Sequence, residues 1–354
     1  MAKQDLLITT FPAHLSGNVG DHLITQSLLA MLHARQPRYD PVVVFREESL
    51  DQYPDDTIRT IVAPGFSVAD ETYPQLFALY SDIQRLKNFL PIGCSFQGST
   101  PSASAFTDYR YGDATKQFLR SLVRQNGPLM CRDALIVDML NSNEIDAAYF
   151  GDLAMYDEAI VGSKYSGMQD VSSLVFTIQH HDRYSDQSFL LLRLLSERFP
   201  AAKCFVSFHS KPNRRSSKIA AFAESLGFTP LFLAGNANNL DVYDGIDFHV
   251  GYRLHGHICF LRKRKPSVLL VEDARAFGFS RTPGTDFGCF DALSLETMSA
   301  DLGAPARAMK FIDSEFNSGF AGYHRVFEFI DDIYGKVVKP YIDAFSKQFL
   351  LSEV

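Results

Sequence analysis

The sequence predicts an α/β protein made of two doubly wound, Rossmann-like domains that face each other across a cleft. Three observations lead there. Short apolar runs alternate with longer amphipathic stretches along most of the chain, the pattern of parallel strands joined by crossover helices. That rhythm breaks once, over residues 156–171, and then restarts. Finally, 354 residues are too many for one ordinary core and suit two domains of roughly 150 each.

In the first half, strands are expected at residues 5–9, 41–45, 57–62, 89–93, 128–131 and 147–150. Helices are expected at 21–34, 73–87, 114–124 and 133–141. Residues 156–171 are polar, contain two glycines and lack periodicity, as a linker does. Beyond them, strands are expected at 173–178, 203–208, 230–233, 248–251 and 267–271. Helices fall at 186–198, 216–226, 239–243 and 255–264. A long aromatic helical pattern runs over 320–349, with Pro340 expected to kink or divide it. Val326, Phe329, Ile330 and Ile333 recur at helical spacing, and Tyr341 and Phe345 repeat the stripe. Such a stripe suits a core contact better than a membrane. The expected division is 1–160, 171–319, and a terminal helix over 320–354 that packs back across both.

Composition narrows the function. Apolar residues make up 46% and charged residues 21%, as in ordinary globular proteins. The net charge of −7 argues against general nucleic-acid binding, yet a few local arginines can still hold a small anion. The five cysteines are scattered, odd in number and never spaced CxxC, which suits free thiols in a reducing compartment. The N-terminus lacks the apolar core of a signal peptide, and no apolar run reaches the roughly 18 residues of a membrane span. A cytoplasmic protein is expected. Peripheral contact with a membrane and self-association into homo-oligomers are both compatible with this composition.

Ligands of doubly wound sheets bind at the carboxyl ends of strands, so the strand-to-helix junctions matter most. Asn18-Val19-Gly20-Asp21 follows the first strand and opens the first helix. Its glycine permits close approach, Asp21 suits a helix cap, and the helix start suits an anion. The same residues also suit a plain capped turn. Tyr252-Arg253-Leu254-His255-Gly256-His257 follows the strand at 248–251. Arg253 and His255 lie two apart, so in extended backbone both point to one side, with Leu254 directed to the core. A guanidinium and an imidazole there make an anion site with an acid/base group, although a surface arginine beside a structural histidine fits too. Cys131-Arg132-Asp133 and Gly151-Asp152 end two further strands. Each also fits a simple cap or turn.

Together these pieces resemble the polysaccharide pyruvyl transferase family. The resemblance lies in the Asn-x-Gly-Asp turn at Asn18–Asp21, the Arg132-Asp133 helix start, the strand ending in Asp152 and the Arg253-Leu254-His255 helix start. Pro91-Ile92-Gly93 with Gln97-Gly98, and Lys265-Pro266-Ser267, fit the same pattern, which spans roughly residues 6–285. Gly256 and His257 depart from it, since a small and an apolar residue are usual there, and this leaves the choice between His255 and His257 open. The resemblance implies a fold similar to GT-B glycosyltransferases, phosphoenolpyruvate as donor, a glycan or lipid-linked oligosaccharide as acceptor, and no cofactor or metal. It implies the N-terminal domain on the acceptor side and the C-terminal domain on the donor side. Arg253 and Arg132 would bind the donor anion, with Asn18, Gly20, Leu254, Asp152 and His257 lining the site. His255 would be the acid/base and Asp21 would orient or deprotonate the acceptor.

Blander features remain. His180-His181-Asp182-Arg183 and the basic loop His209–Arg215 end two strands of the second half and fit either ligand contacts or solvated turns. Arg262, Lys263, Arg264 and Lys265 follow a helix, where cations favour the negative helix end. A glycosyltransferase using a nucleotide sugar is the main competing function, with Glu272 and Asp273 as its candidate carboxylates. A non-catalytic binding protein of the same fold is the other.

Overall fold

The computed structural model describes residues 3–11, 17–70 and 72–350. Its N-terminal half contains β1 (Gln4–Thr9), α1 (Val19–Arg35), β2 (Val42–Phe45), β3 (Ile58–Pro64), β4 (Phe89–Cys94), α2 (Ser104–Thr107), α3 (Asp113–Asn126), β5 (Leu129–Cys131), α4 (Ala134–Ser142) and β6 (Ala147–Tyr149). The strands form one parallel sheet in the order β2-β1-β3-β4-β5-β6. After the connector come β7 (Ser173–Thr177), α5 (Ser185–Arg198), β8 (Lys203–Phe208), α6 (Arg214–Ser225), β9 (Thr229–Phe232), β10 (Phe248–Gly251), α7 (Leu254–Arg262), β11 (Ser267–Val271), α8 (Ala274–Arg281) and β12 (Cys289–Asp291). They build a second parallel sheet, β12-β11-β10-β7-β8-β9. A small hairpin of β13 (Leu293–Ser294) and β14 (Ser299–Ala300) precedes α9 (Ala304–Asn317).

The apolar runs become central strands because crossover helices cover both sheet faces. Every residue of β4, β7, β10 and β11 is buried. Strand order reverses between β1 and β3 in the first sheet and between β7 and β10 in the second. The crevices at those reversals are where a doubly wound sheet takes ligands. They meet across the cleft: Val19 N–H donates to His209 O (3.0 Å), and Gly235 N–H donates to Gly17 O (2.7 Å). Ala274 N–H reaches Gly98 O at 3.0 Å.

The structure departs from expectation in several places. Residues 73–87 do not form a helix. Tyr73 is extended (φ −110°, ψ 132°) because Pro74 follows it, and Asp82 caps only the single 3-10 turn Ile83–Arg85. Helices α8 and α9 occupy a stretch in which the sequence pattern predicts no helix.

The terminal pattern starts later than 320, since Phe320 is left-handed (φ 56°) and a 3-10 turn, Ala321–Tyr323, precedes α10 (His324–Ile333). Pro340 lies in the first turn of the last α-helix, so the terminal pattern divides just before it while its backbone stays helical. A wide turn at Tyr334–Val338 absorbs its missing donor before α11 (Lys339–Phe345). The segment begins on the second domain, where Tyr323 donates to Ser267 O, and ends on the first, where Tyr341 packs edge-on to Phe150.

Finally, the cationic run is not a solvated helix end. Arg262 reaches Ser27 and Asp157 at 2.9 and 3.0 Å. Arg264, 8% exposed, pairs with Asp331 over the Phe327 ring. Lys265 donates to the carbonyls of Tyr243, Asp244 and Ile246. The run ties α7 to the first domain and to the terminal helices.

Candidate active site in the interdomain cleft

Two loops from opposite domains build the site. Asn18 is the cap of α1, its Oδ1 accepting from Gly20 N–H at 3.3 Å. Asp21, expected as the cap, instead lies in the first turn, where a carboxylate favours the helix N-terminus. Asn18 Oδ1 also accepts from Arg253 Nη2 across the cleft, at 3.1 Å. The second hydrogen bond from that nitrogen goes to Ser210 Oγ, at 3.2 Å.

Arg253 is the extended residue that caps α7, and its backbone N–H donates to Thr177 Oγ1. His255 belongs to the first helical turn, so the two-residue spacing acts through a strand-to-helix junction and not through an extended segment. Both side chains are 7% exposed and line one pocket, as do Leu254, Asn18, His180 and His209. Glu272, Asp273 and Arg275 close its wall.

The pocket is tight. Its free space is about 10 Å³, room for about one water molecule. Gly20 explains part of this closeness: a Cβ there would stand 2.3 Å from His255 Nδ1. Gly256 serves similarly, since its Cβ would meet Thr177, His249 and His209 at 3.0–3.3 Å.

Behind His255 stands the first domain. Asp152 Oδ2 lies 3.5 Å from His255 Nε2 and 3.8 Å from Arg132 Nη1. Its other oxygen accepts from Ala154 N–H at 2.9 Å. Burial would raise this carboxyl, but His255, Arg132 and that N–H together hold it below the usual carboxylate range. Arg132 is 6% exposed, and among the described residues its Nη2 has no hydrogen-bond partner. Asp133 caps α4 through Ile136 N–H, with its second oxygen 3.8 Å from Arg132 Nε; burial pushes it up to about 6.

Thus Arg132, Asp152 and His255 form one buried polar cluster. Burial brings the Arg253 guanidinium down to about 10, with Glu272 acting in the opposite direction. Arg253 therefore stays cationic at neutral pH.

His257 stands elsewhere. It is fully buried, hydrogen-bonded through Nδ1 to Ser267 Oγ and packed edge-on to Phe279, and burial lowers it to about 3. It is an interior histidine and does not line the pocket, which corrects its expected place in the binding site. Of the two histidines left open by the sequence, only His255 reaches the pocket.

Two pocket residues carry little signal in the sequence. Arg275 is held by Asp273 at 2.6 Å, and that carboxylate raises its already high value. Its one sequence signal is its position, just after the buried end of β11. His209 reads in sequence only as the start of a basic loop. Glu272, the candidate carboxylate of a nucleotide-sugar site, accepts from His180 N–H at 2.8 and 2.9 Å and from His181 N–H at 3.3 Å. Burial, helped by Asp273, pushes it up to about 8. Among the described residues, no three His, Cys, Asp or Glu side chains converge as metal ligands would, and no helix is long and apolar enough to cross a membrane.

The family model for polysaccharide pyruvyl transferase matches residues 18–273, a span that begins at Asn18 and ends at Asp273, both in this pocket. The chain belongs to that transferase family. A glycan acceptor is what the family implies. No curated protein matches the chain.

Among solved structures, the Staphylococcus aureus MnaA–UDP structure is similar over 100% of this chain and 98% of its own, with 11% identity and a TM-score of 0.55. A UDP-GlcNAc 2-epimerase from Neisseria meningitidis, bound to UDP-GlcNAc, is similar over 97% and 100%, with 10% identity and a TM-score of 0.52. A putative UDP-N-acetylglucosamine 2-epimerase from Listeria monocytogenes covers 99% and 96%, at 12% identity and 0.52. At such identity the likeness concerns the fold, which is of the GT-B type.

Proposed function

We propose that this member of the family transfers a pyruvyl group from phosphoenolpyruvate to a pair of sugar hydroxyls, forming a ketal on a surface polysaccharide or its lipid-linked precursor. The observation that carries this reading is the convergence of Arg253 and Arg275 with His255 on one interdomain pocket, with Arg132 behind His255. Phosphoenolpyruvate bears a carboxylate and a phosphate, and guanidinium groups bind both with matched geometry.

His255, seated between the pocket and Asp152, is the group to protonate the donor's methylene carbon. An acceptor hydroxyl then adds to the central carbon and loses its proton. Inorganic phosphate leaves with the electron pair of its C–O bond, and the second hydroxyl adds at the same carbon, releasing the second proton. Asp21, on the acceptor side, orients or deprotonates the sugar. Since the pocket has room for about one water, admission of the donor requires its walls to move apart, and their return over the bound donor would exclude water from the intermediate.

A nucleotide-sugar glycosyltransferase would need a carboxylate for the ribose. Glu272 is occupied by backbone N–H groups of His180 and His181, and Asp273 by Arg275 and Ala276 N–H. Work on a lipid-linked acceptor would place the protein in the cytoplasm, at the inner face of the membrane.

Titration calorimetry with phosphoenolpyruvate tests the donor. Wild type is expected to bind, and Arg253→Ala to lose at least about tenfold in affinity, the scale of one charged hydrogen-bond contact. Binding of UDP-sugars but not phosphoenolpyruvate would overturn the reading.

A further inference from the structure

His209 directly follows β8 in the C-terminal domain, on the side of the cleft assigned to the donor. It is 1% exposed and lines the same pocket as Arg253 and His255. Its Nε2 lies 2.7 Å from Tyr243 Oη, which lies 2.6 Å from Ser207 Oγ. All three side chains are buried, and among the described residues His209 Nδ1 has no hydrogen-bond partner.

Counting protons along this chain selects a tautomer. If Ser207 donates to Tyr243 and Tyr243 donates to His209 Nε2, every hydroxyl proton is used. The imidazole proton then sits on Nδ1. If instead His209 Nε2–H donates to Tyr243 and Tyr243 donates to Ser207, the Ser207 proton has no acceptor in this chain of bonds. Each arrangement leaves one buried donor unmet, Nδ1–H in the first and Ser207 O–H in the second, but the second also strands the Nδ1 lone pair, so the first leaves fewer unmet groups and places its one free donor on the imidazole.

We propose that His209 is a further donor-binding residue, a neutral imidazole held as its Nδ1–H tautomer by the Ser207–Tyr243 relay so that this N–H donates to an anionic group of the bound donor beside Arg253. Burial, Arg253 and His255 all keep the ring uncharged, so it adds a directed hydrogen bond without adding a third charge to the pocket. His209 also fixes the cleft, because its backbone carbonyl accepts from Val19 N–H of the opposite domain. Tyr243 and Ser207 are positioning residues that act through the ring. The identification of the anion as phosphoenolpyruvate rests on the function proposed above. The tautomer and the anion contact do not.

Two measurements on the full chain test this. Nitrogen-15 NMR of the histidine rings is expected to show His209 protonated on Nδ1 in wild type and shifted toward Nε2–H in Tyr243→Phe. Calorimetry with phosphoenolpyruvate, and separately with inorganic phosphate, is expected to show about ten- to a hundredfold weaker binding in His209→Ala, the scale of a hydrogen bond to a charged group. His209→Asn, which keeps an N–H donor near the Nδ1 position, is expected to recover part of the loss.

Phosphate binding that depends on His209, without phosphoenolpyruvate binding, would keep the anion site and discard the donor. Phosphoenolpyruvate binding equal in wild type and His209→Ala would discard His209 and keep the donor. An Nε2–H tautomer in wild type, or binding of neither anion, would overturn the proposal.

Discussion

Gly20→Ala separates local helix preference from the demands of the cleft. Gly20 sits in the first turn of α1, where alanine would by propensity alone gain about 1 kcal/mol. The structure predicts the opposite sign. The new Cβ would lie 2.3 Å from His255 Nδ1 and 2.7 Å from its Cβ and Cγ, where ordinary contact begins near 3.4 Å. Ring or helix must therefore retreat by about an ångström.

Neither is free to do so. His255 is backed by Asp152 at 3.5 Å, and the start of α1 is tied across the cleft by Asn18–Arg253 at 3.1 Å and Val19–His209 at 3.0 Å. Overpacking of this kind costs about 1–3 kcal/mol, so the net change is a loss of up to about 2 kcal/mol. A displacement of His255 by this much should also weaken phosphoenolpyruvate binding at least about tenfold.

Equilibrium unfolding in denaturant, with the same titration, reads both. Gly335→Ala is the control, since a Cβ there meets nothing within 4 Å. A Gly20→Ala protein that is more stable than wild type and binds the donor normally would refute the reasoning.

Two further predictions concern pH. Glu272 is pushed up to about 8 by burial, against 4.5 in the unfolded chain. Its contribution is complete below pH 4.5 and is lost as the pH rises through 8, so Glu272→Gln should be at least as stable as wild type at pH 8.5 and flatten the alkaline decline; an unchanged pH profile in denaturant unfolding would contradict this. His180, His209, His249 and His257 are all lowered, burial being the largest cause for each, so their contribution is complete above about pH 6.5 and is lost as the pH falls below it. Even against the opposing carboxyls of Glu272 and Asp133, stability between about pH 6 and 4.5 should fall with uptake of more than one proton per molecule on unfolding, and a slope below one proton there would count against the buried neutral imidazoles.

The alternation of apolar runs was readable because a parallel strand is buried on both faces whatever its neighbours are. The two glycine-bearing turns were readable as strand-to-helix junctions, but the need for glycine at 20 and 256 was not, because the side chains that crowd them, His255 for the first and Thr177, His249 and His209 for the second, are brought there by the fold. Other features depended on partners distant in sequence. Residues 73–87 had helical spacing, but Pro74 pushed Tyr73 into extended backbone. The cations at 262–265 looked like an exposed run because Asp157, Asp331 and the carbonyls they bind lie elsewhere in the chain. His257 and His255 share a helix and a residue type, and only the direction of each ring into Ser267 or toward Asp152 separates them.

The sequence by itself determined the fold class, the family, and the strand ends at which chemistry gathers, because period, glycine and capping residues act over a few neighbours. Only the tertiary structure decided which groups meet: Asp152 with His255, Asn18 with Arg253, and Tyr243 with His209. Those contacts form between residues 34 to 235 positions apart. Two of the three cross between domains, so they exist only once both sheets have folded and closed on each other.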